Sequence, residues 1–138
     1  MANSIPYRIR SIKTLQYAIF PEKYVNDKEF GVNIAVHFDV RSDYCDIRNK
    51  LKLDFYQKDT LFLTTEIQTN FAIEQSAAKQ LKEDKRIPVG FLRYMATISV
   101  GTARGIIHAR TEGTALCELV LPPVNLTNII NEDLVLND

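Results

Sequence analysis

Two histidines and two cysteines are the side chains best suited to nucleophilic chemistry in this sequence. His37 and His108 could act as bases, and Cys45 and Cys117 could act as nucleophiles, because an imidazole that takes the thiol proton activates the sulfur. No local motif places a cysteine beside a histidine, and His37 falls on the polar positions of an alternating segment. We therefore predict no catalytic residue and no enzyme activity.

Metal and phosphate sites have characteristic spacings, and this sequence lacks them. A structural zinc site needs about four closely spaced ligands, but neither a CxxC nor an HxxxH pair occurs. Gly101 and Gly105 fall inside a predicted helix, so they do not form a phosphate-binding loop. The acid pairs Glu83-Asp84 and Glu132-Asp133 lie in polar segments typical of solvated surface. We predict no metal site and no cofactor.

The charge balance argues against a nucleic-acid partner. Lys and Arg total 17, and Asp and Glu also total 17, so the formal net charge is zero. Arg48, Lys50 and Lys52 share one strand face with Asp54, and no aromatic residue is interleaved with them to stack on bases.

Length and composition predict one soluble domain that spans residues 1–138. Hydrophobic residues make up 46% of the chain and charged residues 25%, which is ordinary for a globular fold. No apolar run approaches the roughly 18 residues needed to cross a bilayer, and the first twenty residues lack the apolar core of a signal peptide. Two widely separated cysteines fit a reducing compartment. We expect a cytoplasmic protein without membrane insertion.

The elements that must position any site begin with strands. Apolar residues alternate over residues 30–40, 47–55 and 61–73, and this period of two predicts half-buried strands. The turn-prone pairs Ser42-Asp43 and Lys58-Asp59 join them, and both connections are too short for parallel crossovers. The three strands should therefore form an antiparallel meander. A fourth strand is predicted over residues 7–13.

Residues 15–25 carry many large apolar side chains without a clean period. One interpretation is that this irregular segment folds over the sheet edge as part of the core. The other is that it borders a binding groove, because long apolar loops are uncommon and often functional.

Helices are predicted in the second half of the chain. Residues 75–84 lack Gly, Pro and β-branched side chains, and Pro88 suits the first turn of a longer helix over residues 88–110. That helix carries two apolar stripes as well as small residues, so it should bury a second surface, on the sheet or on another subunit. Asn125 should cap a short terminal helix that continues through Leu134.

The order of several short motifs resembles that of SecB-type protein-export chaperones. The most specific motif is LVLPPVNL at residues 119–126, which resembles the family's Leu-x-Leu-x-Pro-Val-Asn-Phe element. Four other segments resemble family elements in the same order, and the resemblance covers nearly the whole chain. They are YRIRSI at 7–12, EIQTNFAI at 66–73, FLR at 91–93 and SVGTARG at 99–105.

The resemblance implies an α+β fold in which a four-stranded antiparallel sheet carries a long C-terminal helix packed on it and a short terminal helix. It also implies a dimer of dimers, a homo-tetramer, that binds unfolded polypeptide clients in apolar surface grooves without ATP. Export members deliver such clients to the motor SecA. The client-binding residues would be Tyr17, Ile19, Phe20, Tyr24, Leu126 and Ile130.

Two further surfaces follow from the resemblance. The contacts between subunits would be made by Leu63, Thr65 and Ile67 on a strand and by Ser99, Ala103 and Ile106 on the long helix. The motor would contact the opposite strand face, at Phe62, Thr64 and Glu66.

The sequence departs from export members in its neutral net charge and in the greater length between Arg104-Gly105 and Leu119. It also ends at Asp138 without the long tail that export members use on SecA. An antitoxin of a toxin-antitoxin system is therefore an alternative client.

Two rival functions stay open. The first is a small-ligand-binding or enzymatic α+β domain with a cavity between a curved sheet and the helix, which would need polar groups converging inside. The second is an assembly protein that uses the same helix for self-association and has no client.

Overall fold

The computed structural model describes residues 5–137, which contain four long strands, three helices and one pair of two-residue strands. In chain order the elements are β1 (Tyr7–Ile19), a 3-10 turn (Pro21–Lys23), β2 (Gly31–Val40), β3 (Asp46–Gln57), β4 (Thr60–Ile73), α1 (Gln75–Asp84), β5 (Arg86–Ile87), α2 (Val89–Thr111), α3 (Leu126–Ile129) and β6 (Leu134–Val135).

The predicted meander is confirmed. Strands β2, β3 and β4 follow one another in an antiparallel arrangement, and β1 pairs with β4, so the order across the sheet is β1-β4-β3-β2. Both predicted turns lie where the polar pairs stand, and Tyr44 and Lys58 adopt positive φ angles of 61° and 54° there. Strands β1 and β2 are thus the two edges of the sheet.

Strand β1 is longer than the sequence predicted. The prediction ended it at residue 13 and treated residues 15–25 as irregular, but the strand continues to Ile19. The pairing with β4 shifts register between Ile9 and Ser11 and again between Thr14 and Gln16. Each bulge adds one residue and breaks the alternation, which is why a period of two did not detect the second half of the strand.

Helix α2 covers one side of the sheet. Its buried residues include Leu92, Met95, Val100 and Ile107, and they pack with the side chains that β3 and β4 direct to the same side. We call this covered side of the sheet the inner face and the opposite side the outer face. The predicted bounds of α1 and α2 agree with the structure within one residue at each end.

The terminal helix is shorter than predicted. The Asn125 side chain accepts a hydrogen bond from the Thr127 amide, as expected for a cap, but α3 ends at Ile129. The chain then leaves the helical path, and Asp133 accepts a hydrogen bond from the Val89 amide at 2.7 Å. Residues Leu134–Val135 pair with Arg86–Ile87 instead of extending a helix.

Candidate functional site

The side chains on the inner face of β4 pack into the chain's own core. The sequence predicted a contact with another subunit at three of them, but all three are fully buried on the inner face. They are Leu63, Thr65 and Ile67. The Thr65 hydroxyl donates a hydrogen bond to the Gln16 carbonyl at 2.9 Å. These three side chains have no surface left for a partner, so their assignment to a subunit contact is wrong.

The same correction applies to two residues of α2. Ser99 and Ala103 are fully buried, and the Ser99 hydroxyl donates a hydrogen bond to the Thr69 hydroxyl of β4 at 3.3 Å. Both side chains face the chain's own sheet, so neither can meet another subunit. Ile106 is half-buried and keeps some surface.

The side chains predicted to contact the motor separate into two groups. Thr64 and Glu66 lie on the outer face, where they pair with Asp54 and Lys52 of β3. Phe62 is fully buried among aromatic rings, because the bulge between Phe55 and Tyr56 turns it to the inner face. Phe62 therefore cannot contact a motor protein.

Aromatic side chains gather where β1 meets the segment that crosses to β2. We call residues 20–30 the crossover segment. The Tyr24 ring lies 4.8 Å from the Phe62 ring, and Phe30 contacts both Phe55 and Phe62. The predicted client residues Tyr17, Ile19 and Tyr24 are half-buried around this cluster. Phe20 is also half-buried, and the centroid of its ring lies 5.2 Å from the Lys23 ammonium.

Tyr17 connects the same region to the end of α2. The Arg110 guanidinium stacks over the Tyr17 ring at 4.8 Å, a cation–π contact. The Tyr17 hydroxyl is buried without a hydrogen-bond partner among residues 5–137. Burial raises the pKa of Tyr17, while the positive charge of Arg110 opposes that rise.

One buried amide holds the crossover segment in place. Gln57, the last residue of β3, accepts a hydrogen bond from the Val25 amide at 2.9 Å and donates to the Val25 carbonyl at 2.7 Å. It also donates to the Lys28 carbonyl at 3.4 Å. The crossover segment is thus fixed at its centre by a side chain that the sequence analysis did not single out.

Strand β2 presents a continuous half-buried apolar row. Five side chains on its inner face are neither covered by α2 nor fully exposed. They are Val32, Ile34, Val36, Phe38 and Val40. In the C-terminal segment, Val124 and Leu126 are also half-buried and pack against the same core. The row lies at a sheet edge. On the side of β2 that points away from β3, the main-chain groups pair with no other strand of residues 5–137.

The opposite edge, β1, is less regular. Its two bulges and its residues Arg8, Arg10 and Lys13 are features that discourage strand addition. Ile9 and Ile12 pair with Phe71 and Thr69, so they share the inner face, yet they are 42% and 46% exposed. Helix α2 leaves this part of the inner face uncovered.

A row of side chains at a spacing of four runs along α2 beside β1. The hydroxyl of its first member, Tyr94, accepts a hydrogen bond from the Tyr7 hydroxyl at 3.0 Å, and its last member, Arg110, covers Tyr17. Ile98, Thr102 and Ile106 are the half-buried members between them. Together with Ile9 and Ile12 this row forms a shallow apolar surface, which we call the β1–α2 surface.

A search of known protein families found no matching family model, and no curated protein matches the sequence. A search of solved structures found the SecB-like chaperone Rv1957 of Mycobacterium tuberculosis, in complex with a ChAD peptide from the Rv1956 HigA1 antitoxin. The match covers 86% of this chain and 90% of that one, with a TM-score of 0.53 and 12% sequence identity. The chain has a SecB-like fold. The predicted α+β architecture and the resemblance are thereby confirmed at the level of the fold.

Within the SecB-like fold, the remaining two predicted client residues differ in accessibility. Leu126 opens α3 and is half-buried between the two core clusters. Ile130 is only 8% exposed and belongs to the core, and its carbonyl accepts a hydrogen bond from the Arg93 guanidinium at 2.8 Å. Ile130 therefore offers almost no surface to a client in this conformation.

The structure gives little support to the alternative of a small-ligand-binding or enzymatic domain, which requires a cavity with polar groups converging inside. A depression with a volume of about 1010 Å³ lies at the end of the sheet by Lys28, Tyr56 and Lys58, but it is open to solvent. His37 lies 3.0 Å from Asp39 on an exposed strand face outside this depression. No cluster of three potential metal ligands occurs within residues 5–137. The helices in that range are too short or too polar to cross a bilayer.

Proposed function

We propose that this protein is an ATP-independent chaperone, a holdase, that binds unfolded polypeptide clients at the β2 edge. The observation that carries the proposal is the unprotected β2 edge beside its half-buried apolar row, on a SecB-like fold. An extended client can add a strand to such an edge, with main-chain hydrogen bonds giving affinity and apolar side chains giving selectivity.

The β2 edge lacks the usual protection against strand addition. Its pairing with β3 runs from Gly31 to Val40 without a register shift, and the strand contains neither proline nor lysine. A client strand with apolar residues at every second position would bury its side chains against Ile34, Val36 and Phe38. Because burial contributes about 25 cal/mol per Å² before ordering costs, several such contacts are needed for useful affinity.

The crossover segment and α3 extend the client surface at the end of the sheet. Tyr17, Ile19, Phe20 and Tyr24 stay in the proposed site because each keeps part of its surface. Leu126 stays for the same reason, whereas Ile130 is excluded by its burial. Aromatic rings suit this role because they bury large area with few rotatable bonds.

The solved SecB-like chaperone supports one class of client in particular. That structure holds a peptide of an antitoxin, so we propose an antitoxin or another partly folded cytoplasmic protein as the client here. Delivery to SecA for export is the alternative. It would use Glu66 on the outer face, without Phe62 and Thr64, which are buried.

We further propose that subunits associate through the β1–α2 surface and assemble into a homo-tetramer. Ile9 and Ile12 are exposed apolar side chains on a face that a partner would cover. Gly101 and Gly105 lie on the exposed side of α2. Apart from their chain neighbours and the backbone of α2 itself, no atom of residues 5–137 stands within 4 Å of a Cβ built at either position. A second helix could therefore approach the backbone closely there.

The test is whether the protein keeps a permanently unfolded reporter, reduced and carboxymethylated α-lactalbumin, in a complex without nucleotide. Ile34→Ser should weaken this complex about tenfold, because it removes apolar contact from the centre of the row. Ala35→Ser is the matched control, since Ala35 is the neighbouring residue and faces the other side of β2. Circular dichroism and solution mass of both variants establish that they fold and assemble alike.

Equal complex formation by the two variants would remove the β2 edge from the proposal. A stable oligomer of the unaltered protein that binds no unfolded chain would instead favour an assembly protein without a client.

A further inference from the structure

The outer face of the sheet carries more exposed cations than exposed acids. Strand pairing places six basic residues on or beside this face and four acidic ones. The basic residues are Arg8, Arg10, Lys13, Arg48, Lys50 and Lys52, and the acidic ones are Asp39, Asp46, Asp54 and Glu66. The zero net charge of the whole chain therefore hides an uneven distribution.

The most buried acid of this face lies beneath two exposed arginines. Asp46 is only 4% exposed and lies 3.4 Å from the Arg10 guanidinium and 3.6 Å from that of Arg48. The two arginine side chains remain 42% and 52% exposed above it. Asp54 is partly covered as well and accepts a 2.5 Å hydrogen bond from the Thr64 hydroxyl. The Asp39 carboxylate at the β2 edge is 49% exposed and lies 3.7 Å from the Lys50 ammonium. Positive charge therefore predominates on the part of the face formed by β1 and the start of β3.

A row across the centre of the sheet places cations of two strands on either side of one neutral side chain. Lys13 of β1 pairs with Gln68 of β4, which pairs with Lys50 of β3, so two lysines flank one neutral side chain. Ser11, Asn70 and Arg48 form the adjacent row. Gln68 itself is only 8% exposed, so the lysines would make the contacts of their row with a partner.

We propose that the outer face binds an acidic segment of a partner protein, rich in Asp and Glu. Charge complementarity selects this occupant, and it would steer association and set register more than it adds raw affinity. A nucleic acid fits less well, because Glu66 stands in the middle of the face and these rows offer no aromatic ring for base stacking. The proposal does not depend on client binding, which uses the inner side and the β2 edge.

The probe is a fluorescein-labelled 15-residue peptide rich in glutamate, measured by fluorescence anisotropy at about 50 mM salt, where exposed charges are weakly screened. The double variant Lys13→Gln and Lys50→Gln should weaken binding roughly fivefold, as expected for two exposed charge contacts. The control double variant Lys79→Gln and Lys82→Gln removes the same net charge from exposed positions of α1 and should change binding less than about twofold.

Three results would overturn the proposal. One is the absence of binding by the unaltered protein at millimolar peptide. Another is equal weakening in both double variants, which would indicate an effect of net charge alone. The third is tighter binding of a 15-nucleotide thymidine oligomer than of the peptide, which would assign the face to nucleic acid.

Discussion

The hydrogen bonds of Gln57 predict a measurable loss of stability when its amide is removed. Gln57→Met keeps the length and shape of the side chain but can neither accept from the Val25 amide nor donate to the Val25 carbonyl. Each of these two bonds should contribute about 1 kcal/mol net, and the 3.4 Å bond to Lys28 adds little. We expect the free energy of unfolding to fall by about 2 kcal/mol.

Urea unfolding followed by circular dichroism measures that loss. With a slope of about 2 kcal/mol/M, the midpoint should fall by roughly 1 M. Hydrogen exchange should also show faster exchange of the Val25 amide, because the bond that protects it is gone. The matched control is Gln68→Met on the outer face, since Gln68 has the same 8% exposure and lies far from the crossover segment in the strand register.

Equal losses of unfolding free energy in Gln57→Met and Gln68→Met would refute this prediction. Unchanged protection of the Val25 amide in Gln57→Met would also refute it, because the crossover segment would then be held by its aromatic contacts alone.

Three further predictions concern other parts of the chain. Phe62→Ala should lower the free energy of unfolding, measured by urea unfolding, by about 3–5 kcal/mol, because it leaves a cavity in the core. A much smaller loss would indicate that Phe62 lies at the surface. Ile12→Lys should leave the unfolding free energy of the subunit within about 0.5 kcal/mol but lower the solution mass measured by light scattering, and an unchanged mass would remove the β1–α2 surface from the assembly. Hydrogen bonds from Arg41 and from the Cys45 amide hold the pKa of Asp43 at about 2 instead of 3.8, so its stabilising contribution is full above pH 3.8 and disappears as the pH falls to 2. Asp43→Asn should therefore lower stability at pH 6 and flatten the acid dependence between pH 4 and 2 in urea titrations, and an unchanged acid profile would contradict the prediction.

Sequence patterning predicted the elements well wherever one face of a strand or helix was buried continuously. Strand β2 alternates without interruption from Val32 to Val40, and its pairing with β3 has no register shift. The second half of β1 was missed because its inner residues, Ile9, Ile12, Thr14 and Tyr17, are spaced by three and two in turn. Two bulges create that spacing, and allowing for them would have extended the strand.

The subunit contacts could not be predicted from the same patterns. Alternation in β4 identifies Leu63, Thr65 and Ile67 as one apolar face, but it does not say whether the chain's own helix or another subunit covers that face. Only the placement of α2 over β3 and β4 decides the question. Gln57 was missed for a related reason, because its partners are main-chain groups about 30 residues away in sequence.

The two sheet edges suggest how one chain could both assemble and bind clients. Strand β1 carries bulges and three basic residues, so backbone pairing along its full length is unfavourable, yet its inner face exposes Ile9 and Ile12 beside α2. Strand β2 is regular along its full length, but its apolar row is half-covered. A partner that packs side chains suits the first edge, and an extended chain that pairs main-chain groups suits the second. If both roles are correct, Ile12→Lys should change assembly without changing the affinity of each subunit for an unfolded chain, and Ile34→Ser should do the reverse.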